Sequence, residues 1–310
     1  MVRKRKAGAE VEEFKQFFYR STGEIMDLEV RESTDTKLTL LISETTPYFI
    51  NTIRRYLISS VPKMAIEDVE FHLGPIRDEG GKEYESISPL FDEIISHRLG
   101  LIPIPTDLEL FGYRDQCVCK GEGCPNCTIM FTLNKKGPCT VYSGDLEPLS
   151  DAKYAIKEDL IPIVKLSDHQ ALLIYATAIL GVGSEHAKWQ AVSGVGYKYY
   201  PKIEIDPKIC DSGGTCIESC PRNIFEMDGK KVVVKDNFED CTLCNACVDV
   251  CEPAGQDKNV KAVKVEGDPT KILFRFETDT SLTPRDALIF TTKALEDKFN
   301  EFKNAVSKLK

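Results

Sequence analysis

The chain has 310 residues, 42% hydrophobic and 29% charged, with a formal net charge of −9 from 49 acidic and 40 basic side chains. Its length fits two or three domains, and its apolar content is ordinary for a globular protein. The acidic balance argues against a primary nucleic-acid binder, whose affinity comes from Lys and Arg.

Residues 1–19 are charged and aperiodic and read as a flexible tail. The basic start at 1–10 has no apolar run behind it, so no signal peptide is expected. The longest apolar stretch, 171–182, falls short of the ~20 residues that span a bilayer. These features predict a cytoplasmic protein without membrane contact. Strands are predicted at 25–32 and 37–42. Thr46 and Pro47 then open a helix on which Phe49, Ile53 and Leu57 recur, which carries Arg54 and Arg55, and which Pro62 closes. Residues 64–73 alternate like a strand. Residues 88–99 predict a helix with Leu90, Phe91, Ile94, Ile95 and Leu99 as its apolar face. Further strands are expected at 161–166 and 172–180, a turn at 181–183, and a long strand or pair over 189–200.

The segment 201–266 has its own pattern: short strand, cysteines, a hairpin turning at Asp228-Gly229, cysteines, short strand. A last strand is predicted at 271–277. Thr283 and Pro284 then cap a long helix. Leu288, Leu295, Phe302 and Leu309 fall on it at seven-residue intervals, interleaved with Phe299 and Val306. Such a seam packs either on its own domain or on another subunit.

Twelve cysteines stand in two groups, 117–127 and 210–251, with Cys139 alone between them. In a cytosolic chain, clustered cysteines more often bind metal or do redox chemistry than form structural disulfides. Cys241-x2-Cys244-x2-Cys247-x3-Cys251 has the bacterial ferredoxin spacing, in which the fourth cysteine ligates the other cluster of a pair. The partner run is Cys210, Cys216 and Cys220, with Gly213 at the remaining position. The crossed rule therefore predicts a complete [4Fe–4S] site from Cys220, Cys241, Cys244 and Cys247. It leaves a second site, Cys210, Cys216 and Cys251, one thiolate short. That site could hold [3Fe–4S], hold [4Fe–4S] with a non-cysteine ligand such as Asp211, or be empty. Cys251 is followed by Glu252-Pro253, a small departure from the ferredoxin pattern. The tighter group, Cys117, Cys119, Cys124 and Cys127, has four thiolates within 11 residues and glycines at 121 and 123, which suits tetrahedral zinc. Disulfides or free thiols are the alternatives there. Cys139 reads as a buried or unpaired thiol.

No Walker A or Rossmann fingerprint is present. Ser184-Glu185-His186 reads as a polar turn, since neighbours in sequence do not form a triad. Nothing assembles an enzyme active site, so the isolated chain is expected to be non-catalytic.

Phe49-Ile50-Asn51-Thr52-Ile53-Arg54-Arg55 and Val61-Pro62-Lys63-Met64-Ala65-Ile66-Glu67-Asp68-Val69 resemble the α-like subunits of cellular RNA polymerases. The run from Ser88 through His97-Arg98-Leu99-Gly100 to Pro103 continues the resemblance, as do Glu185-His186-Ala187-Lys188-Trp189 and Tyr199-Tyr200-Pro201-Lys202. It covers residues 20–310, and the ferredoxin-like insertion points to the archaeal, D-type branch.

The resemblance implies an α+β fold. A discontinuous dimerisation domain, 20–66 and 267–310, would carry an inserted β-rich domain at 67–200 with the cysteine loop 117–127. A 2[4Fe-4S]-ferredoxin-like domain would follow at 201–266. The C-terminal helix would pair with the small α-like subunit L through Leu288, Leu295, Phe299, Phe302 and Val306. The heterodimer would then be the platform for the second-largest catalytic subunit and the small subunits N and P, with Arg54 and Arg55 facing the large subunits. Relatives of the eukaryotic type carry a zinc loop near 117–127, whereas some archaeal ones form disulfides there. The cluster would act as a structural staple or a redox sensor, with phosphodiester chemistry left to the large subunits and no sequence-specific contact to nucleic acid. The competing reading is a ferredoxin-type electron-transfer subunit of a cytosolic oxidoreductase. Against it, roughly four fifths of the chain has no redox feature.

Overall fold

The computed structural model describes residues 26–77, 80–251 and 260–309. The predicted tail at 1–19 and the dipeptide Glu252-Pro253 lie outside them. The described chain divides into two compact units, one built mainly from 39–51 and 196–275 and the other mainly from 52–195 and 276 onward.

The first unit holds most of a four-stranded sheet. Its strands are β1 (Asp27–Ser33), β2 (Lys37–Ser43), β11 (Val192–Ile205) and β14 (Val263–Thr278), in the order β1-β2-β14-β11. Leu28, Leu40, Ile42, Ile272 and Phe274 are buried on these strands. The short strands predicted on either side of the cysteine segment are the ends of β11 and β14, and 271–277 is not a separate strand. Between β11 and β14 lie α3 (Thr215–Ser219), the hairpin of β12 (Phe225–Asp228) and β13 (Lys231–Val234), and α4 (Ala246–Asp249). The hairpin turns as expected at Asp228-Gly229, where Gly229 takes φ +60°.

In the second unit, β10 (Ala171–Val182) is the spine. It pairs antiparallel with β3 (Pro62–Phe71) on one side and β6 (Thr128–Lys136) on the other, and β8 (Glu147–Pro148) extends the sheet. The inward faces alternate: Ile129, Phe131 and Leu133 on β6 meet Ile174, Ala176 and Ala178 on β10, and all are buried. A second small sheet, β7 (Cys139–Tyr142) with β9 (Pro162–Leu166), shares this core, as does α2 (Asp92–Gly100) through Ile95 and Leu99. The helix predicted over 88–99 therefore starts four residues late. Ser88 is held in a local turn, donating to the carbonyl of Leu90, and Asp92 and Glu93 occupy the helix's first turn. The predicted apolar face splits, with Phe91 78% and Ile94 41% exposed. A two-stranded hairpin of β4 (Pro75–Arg77) and β5 (Glu83–Glu85) completes the named strands.

The turn predicted at 181–183 begins only at Gly183, since Gly181 is still in β10. The reason for that glycine is packing. A Cβ at 181 would meet the Trp189 ring at 2.4 Å, and Trp189 is buried with its indole N–H donating to the carbonyl of Ile179 at 3.2 Å. Gly181→Ala is therefore expected to lower stability by about 1–3 kcal/mol through overpacking, seen as a lower denaturant midpoint with an unchanged m-value.

The helix α1 (Pro47–Ser59) is capped by Thr46, whose hydroxyl accepts from the N–H of Phe49 at 3.4 Å, and buries Ile50, Ile53 and Leu57. The long helix α5 (Pro284–Ser307) opens as predicted: Thr283 accepts from the N–H of Asp286 at 3.1 Å, with Pro284 in the first turn. Its lead-in is pinned within the second unit by the buried Lys63, which donates to Asp279 at 2.5 Å. No helix among the described residues is long and apolar enough to cross a membrane.

Candidate metal, cluster and interface sites

Cys220, Cys241, Cys244 and Cys247 line one small pocket, partly open to solvent, together with Pro221, Ile224 and Val265. Cys220 ends α3, Cys247 sits in α4, and the loop between Cys241 and Cys247 places Leu243 and Asn245 at φ +56° and +62°. Left-handed backbone is unfavourable for leucine, so the surrounding loop holds it there. Here it turns the N–H of Leu243 onto the sulfur of Cys241 at 3.4 Å. Burial pushes the Cys241 thiol up and the Cys247 thiol to about 11, helped by the neighbouring sulfurs. Cys244 alone of the four is exposed.

Cys216 and Cys251 are buried, and Cys210 is half-buried. Burial raises the Cys216 pKa, with Cys210 and Cys251 as the nearby sulfur charges that add to it. At Gly213, the Asp211 carboxylate accepts the glycine N–H at 2.9 Å, and its other oxygen lies 2.9 Å from where a Cβ would be. A carboxylate thus fills the space beside the missing eighth cysteine.

The tighter thiol group differs in scale. The sulfurs of Cys117, Cys119, Cys124 and Cys127 all lie within 4.8 Å of one another, the one such group of three or more candidate ligands among the described residues. Cys117–Cys124, Cys119–Cys127 and Cys124–Cys127 stand 3.5, 3.6 and 3.8 Å apart. Lys120, Gly121 and Gly123 take positive φ to close the loop. The N–H of Gly123 lowers the Cys119 pKa to about 6, whereas burial pushes Cys127 up to about 12. In metal-free protein at pH 7, Cys119 should therefore be alkylated well before Cys127, with half-maximal reactivity near pH 6, read by peptide mass spectrometry. Cys139 is half-buried, its sulfur bonded to the carbonyl of Lys136 at 3.4 Å.

Several supporting residues carried no sequence signal. Arg114 ties the loop down, donating to the carbonyl of Gly121 at 2.9 Å and to Asp68 at 3.2 Å. Lys198 on β11 donates to the carbonyls of Glu239 and Cys241, and Lys261 donates to the carbonyl of Cys251 at 2.8 Å. Single charged residues on alternating strands look solvent-facing until the segment they hold is located. Ser184-Glu185-His186 is a polar turn: Glu185 accepts from the N–H of Val182, and His186 Nδ1 from the N–H of Lys188.

The candidate interface residues divide. Leu288 is buried and Leu295 half-buried, but Phe299, Phe302 and Val306 are 62%, 68% and 46% exposed. On α1, Arg54 is half-buried and Arg55 exposed.

Residues 79–197 match the RNA polymerase Rpb3/RpoA insert domain, and residues 202–252 match a 4Fe-4S dicluster domain. The latter match and its cysteines make this the iron–sulfur segment of the chain. DNA-directed RNA polymerase subunit Rpo3 of Picrophilus torridus is 40% identical over 280 residues, 90% of this chain and 99% of that protein. Rpo3 of Thermoplasma volcanium is 41% identical over 88% of this chain and 97% of its own, and Rpo3 of Methanothermobacter thermautotrophicus 40% over 88% and 96%. With identity of this order along nearly the whole of each relative, the chain belongs to the Rpo3 family of archaeal DNA-directed RNA polymerase subunits.

Proposed function

We propose that this chain is the non-catalytic assembly subunit of an archaeal RNA polymerase in the cytoplasm, pairing with the small α-like subunit L. The carrying observation is the C-terminal half of α5, which leaves Phe299, Phe302 and Val306 exposed along one heptad seam. Large aromatic residues at such spacing are anchors for a partner helix. The pairing domain is 20–66 with 267–310, the inserted domain 67–200 and the cluster domain 201–266. The second-largest catalytic subunit and subunits N and P assemble on the heterodimer, with Arg54 and Arg55 directed at the large subunits. Co-expression with subunit L tests this. A stable 1:1 complex on size-exclusion chromatography is expected, and a chain that stays monomeric overturns it.

Cys220, Cys241, Cys244 and Cys247 hold the [4Fe–4S] cluster in this reading. The four residues line one pocket, yet among the described residues their sulfurs form no group within single-ion distance. That spacing suits a polynuclear cluster. When bound, the cluster supplies a four-point staple and a one-electron couple. Cys210, Cys216 and Cys251 hold a second cluster, for which Asp211, beside Gly213, is the candidate oxygen ligand. Cys117, Cys119, Cys124 and Cys127 hold zinc, which closes the loop as a structural ion. A tetrahedron with Zn–S bonds of about 2.3 Å has edges of about 3.8 Å, close to the sulfur separations here and far from the ~2.05 Å of a disulfide. An electron-transfer subunit would have no use for the exposed seam on α5.

A further inference from the structure

Lys198 lies on β11 with its side chain half-buried. Its ammonium donates to the carbonyl of Glu239 and, at 3.2 Å, to that of Cys241. The same short segment, 236–241, is held from the sheet at two more points of the same unit. Arg31 on β1 bonds Glu239 at 2.8 Å, and Tyr200 on β11 meets Phe238 edge to face at 5.7 Å. Lys261, just before β14, grips the carbonyls of Cys251 and Asp249 at 2.8 and 3.3 Å. One ammonium therefore stands behind one cysteine of each site.

We propose that Lys198 is a positioning residue for the cluster of Cys220, Cys241, Cys244 and Cys247, holding the Cys241 end of the loop on β11 and raising the cluster's reduction potential. The inference rests on the cluster reading above. Reduction adds one electron to a cube with a 2+ core, giving a 1+ core. With four thiolates the net charge passes from −2 to −3. A cation held near that charge favours the reduced form, and burial weakens the screening that would cancel it. Arg222 and Arg275 add positive charge around Lys198 and Asp240 opposes it, and the Lys198 ammonium is bonded to the backbone of a cluster cysteine. Net charge and hydrogen bonding around the sulfurs are the terms that set cluster potentials.

The test uses the full chain purified without oxygen, with iron and sulfide analysis followed by an EPR-monitored titration with dithionite and mediators. In Lys198→Gln the reduction equilibrium of the [4Fe–4S] signal should fall about tenfold, a potential about 60 mV more negative for one electron. Lys198→Arg, which keeps the charge, should restore most of the shift. Lys261→Gln, acting at the other site, should leave that signal's potential within a few-fold of the parent. A loaded Lys198→Gln protein with the parent's potential, or an equal shift in Lys261→Gln, overturns the inference. If Lys198→Gln fails to load the cluster, loading restored by Lys198→Arg supports the positioning role, and loss in both variants contradicts it. A parent chain without iron would instead refute the cluster reading itself.

Discussion

Phe302→Asp on α5 is expected to weaken pairing with the small α-like subunit by at least ~100-fold while leaving the chain's own melting temperature within a degree or two of the parent. Phe302 is 68% exposed in the free chain, so its replacement removes little intramolecular packing. In the complex the cost has two parts. The apolar burial of a large side chain is lost, about 2–3 kcal/mol, and a carboxylate is placed in a desolvated seam without a partner. Leu295→Asp should act in the same direction with a larger effect on stability, because Leu295 is already half-buried. Size-exclusion chromatography of the co-expressed pair reads the first effect and thermal unfolding of the single chain the second. Pairing unaffected by both variants would place the partner elsewhere.

Cys241→Ser combined with Cys244→Ser should abolish the cluster and unlock its segment. Half of the ten residues in that segment's buried cluster are cysteines, namely Cys216, Cys220, Cys241, Cys247 and Cys251, with Ile224, Phe225 and Val232 among the remainder. So small an apolar core needs a staple. Without it, amide exchange across 202–251 should accelerate at least ~100-fold, while β10 in the other unit keeps its protection. The segment 236–241 is fastened to the sheet by Arg31, Lys198 and Tyr200, so the loosening should spread to that face of β11. Association with the large subunits should suffer more than pairing with the small one. Equal assembly of the double variant and the parent would limit the cluster to a local role.

Much of this was legible because some residues announce their geometry locally. Thr283-Pro284 states a helix start, Asp228-Gly229 states a hairpin, and ferredoxin spacing pairs cysteines across a gap of twenty residues or more. Other features depend on contacts that spacing does not encode. β6 is a nine-residue strand with alternating burial, and β7 and β8 follow it, yet 128–148 carries no prediction because its turn and charge signals blur the period. Gly181 reads as a turn residue in sequence, but it is the floor under Trp189. Phe91 and Ile94 fit a helical stripe, but the helix begins after Phe91 and turns both outward. The close approach of the four sulfurs in 117–127 is set by the folded loop, and composition alone could not give it.

Reconstitution of the polymerase from separately purified subunits, with and without this chain, followed by native mass spectrometry and a transcription assay, tests whether the chain is the assembly platform. The two large subunits should fail to join and no transcript should form when the chain is omitted, and both should recover when the preformed heterodimer is added. An assembled and transcribing core without it would mean that this chain is not the assembly platform.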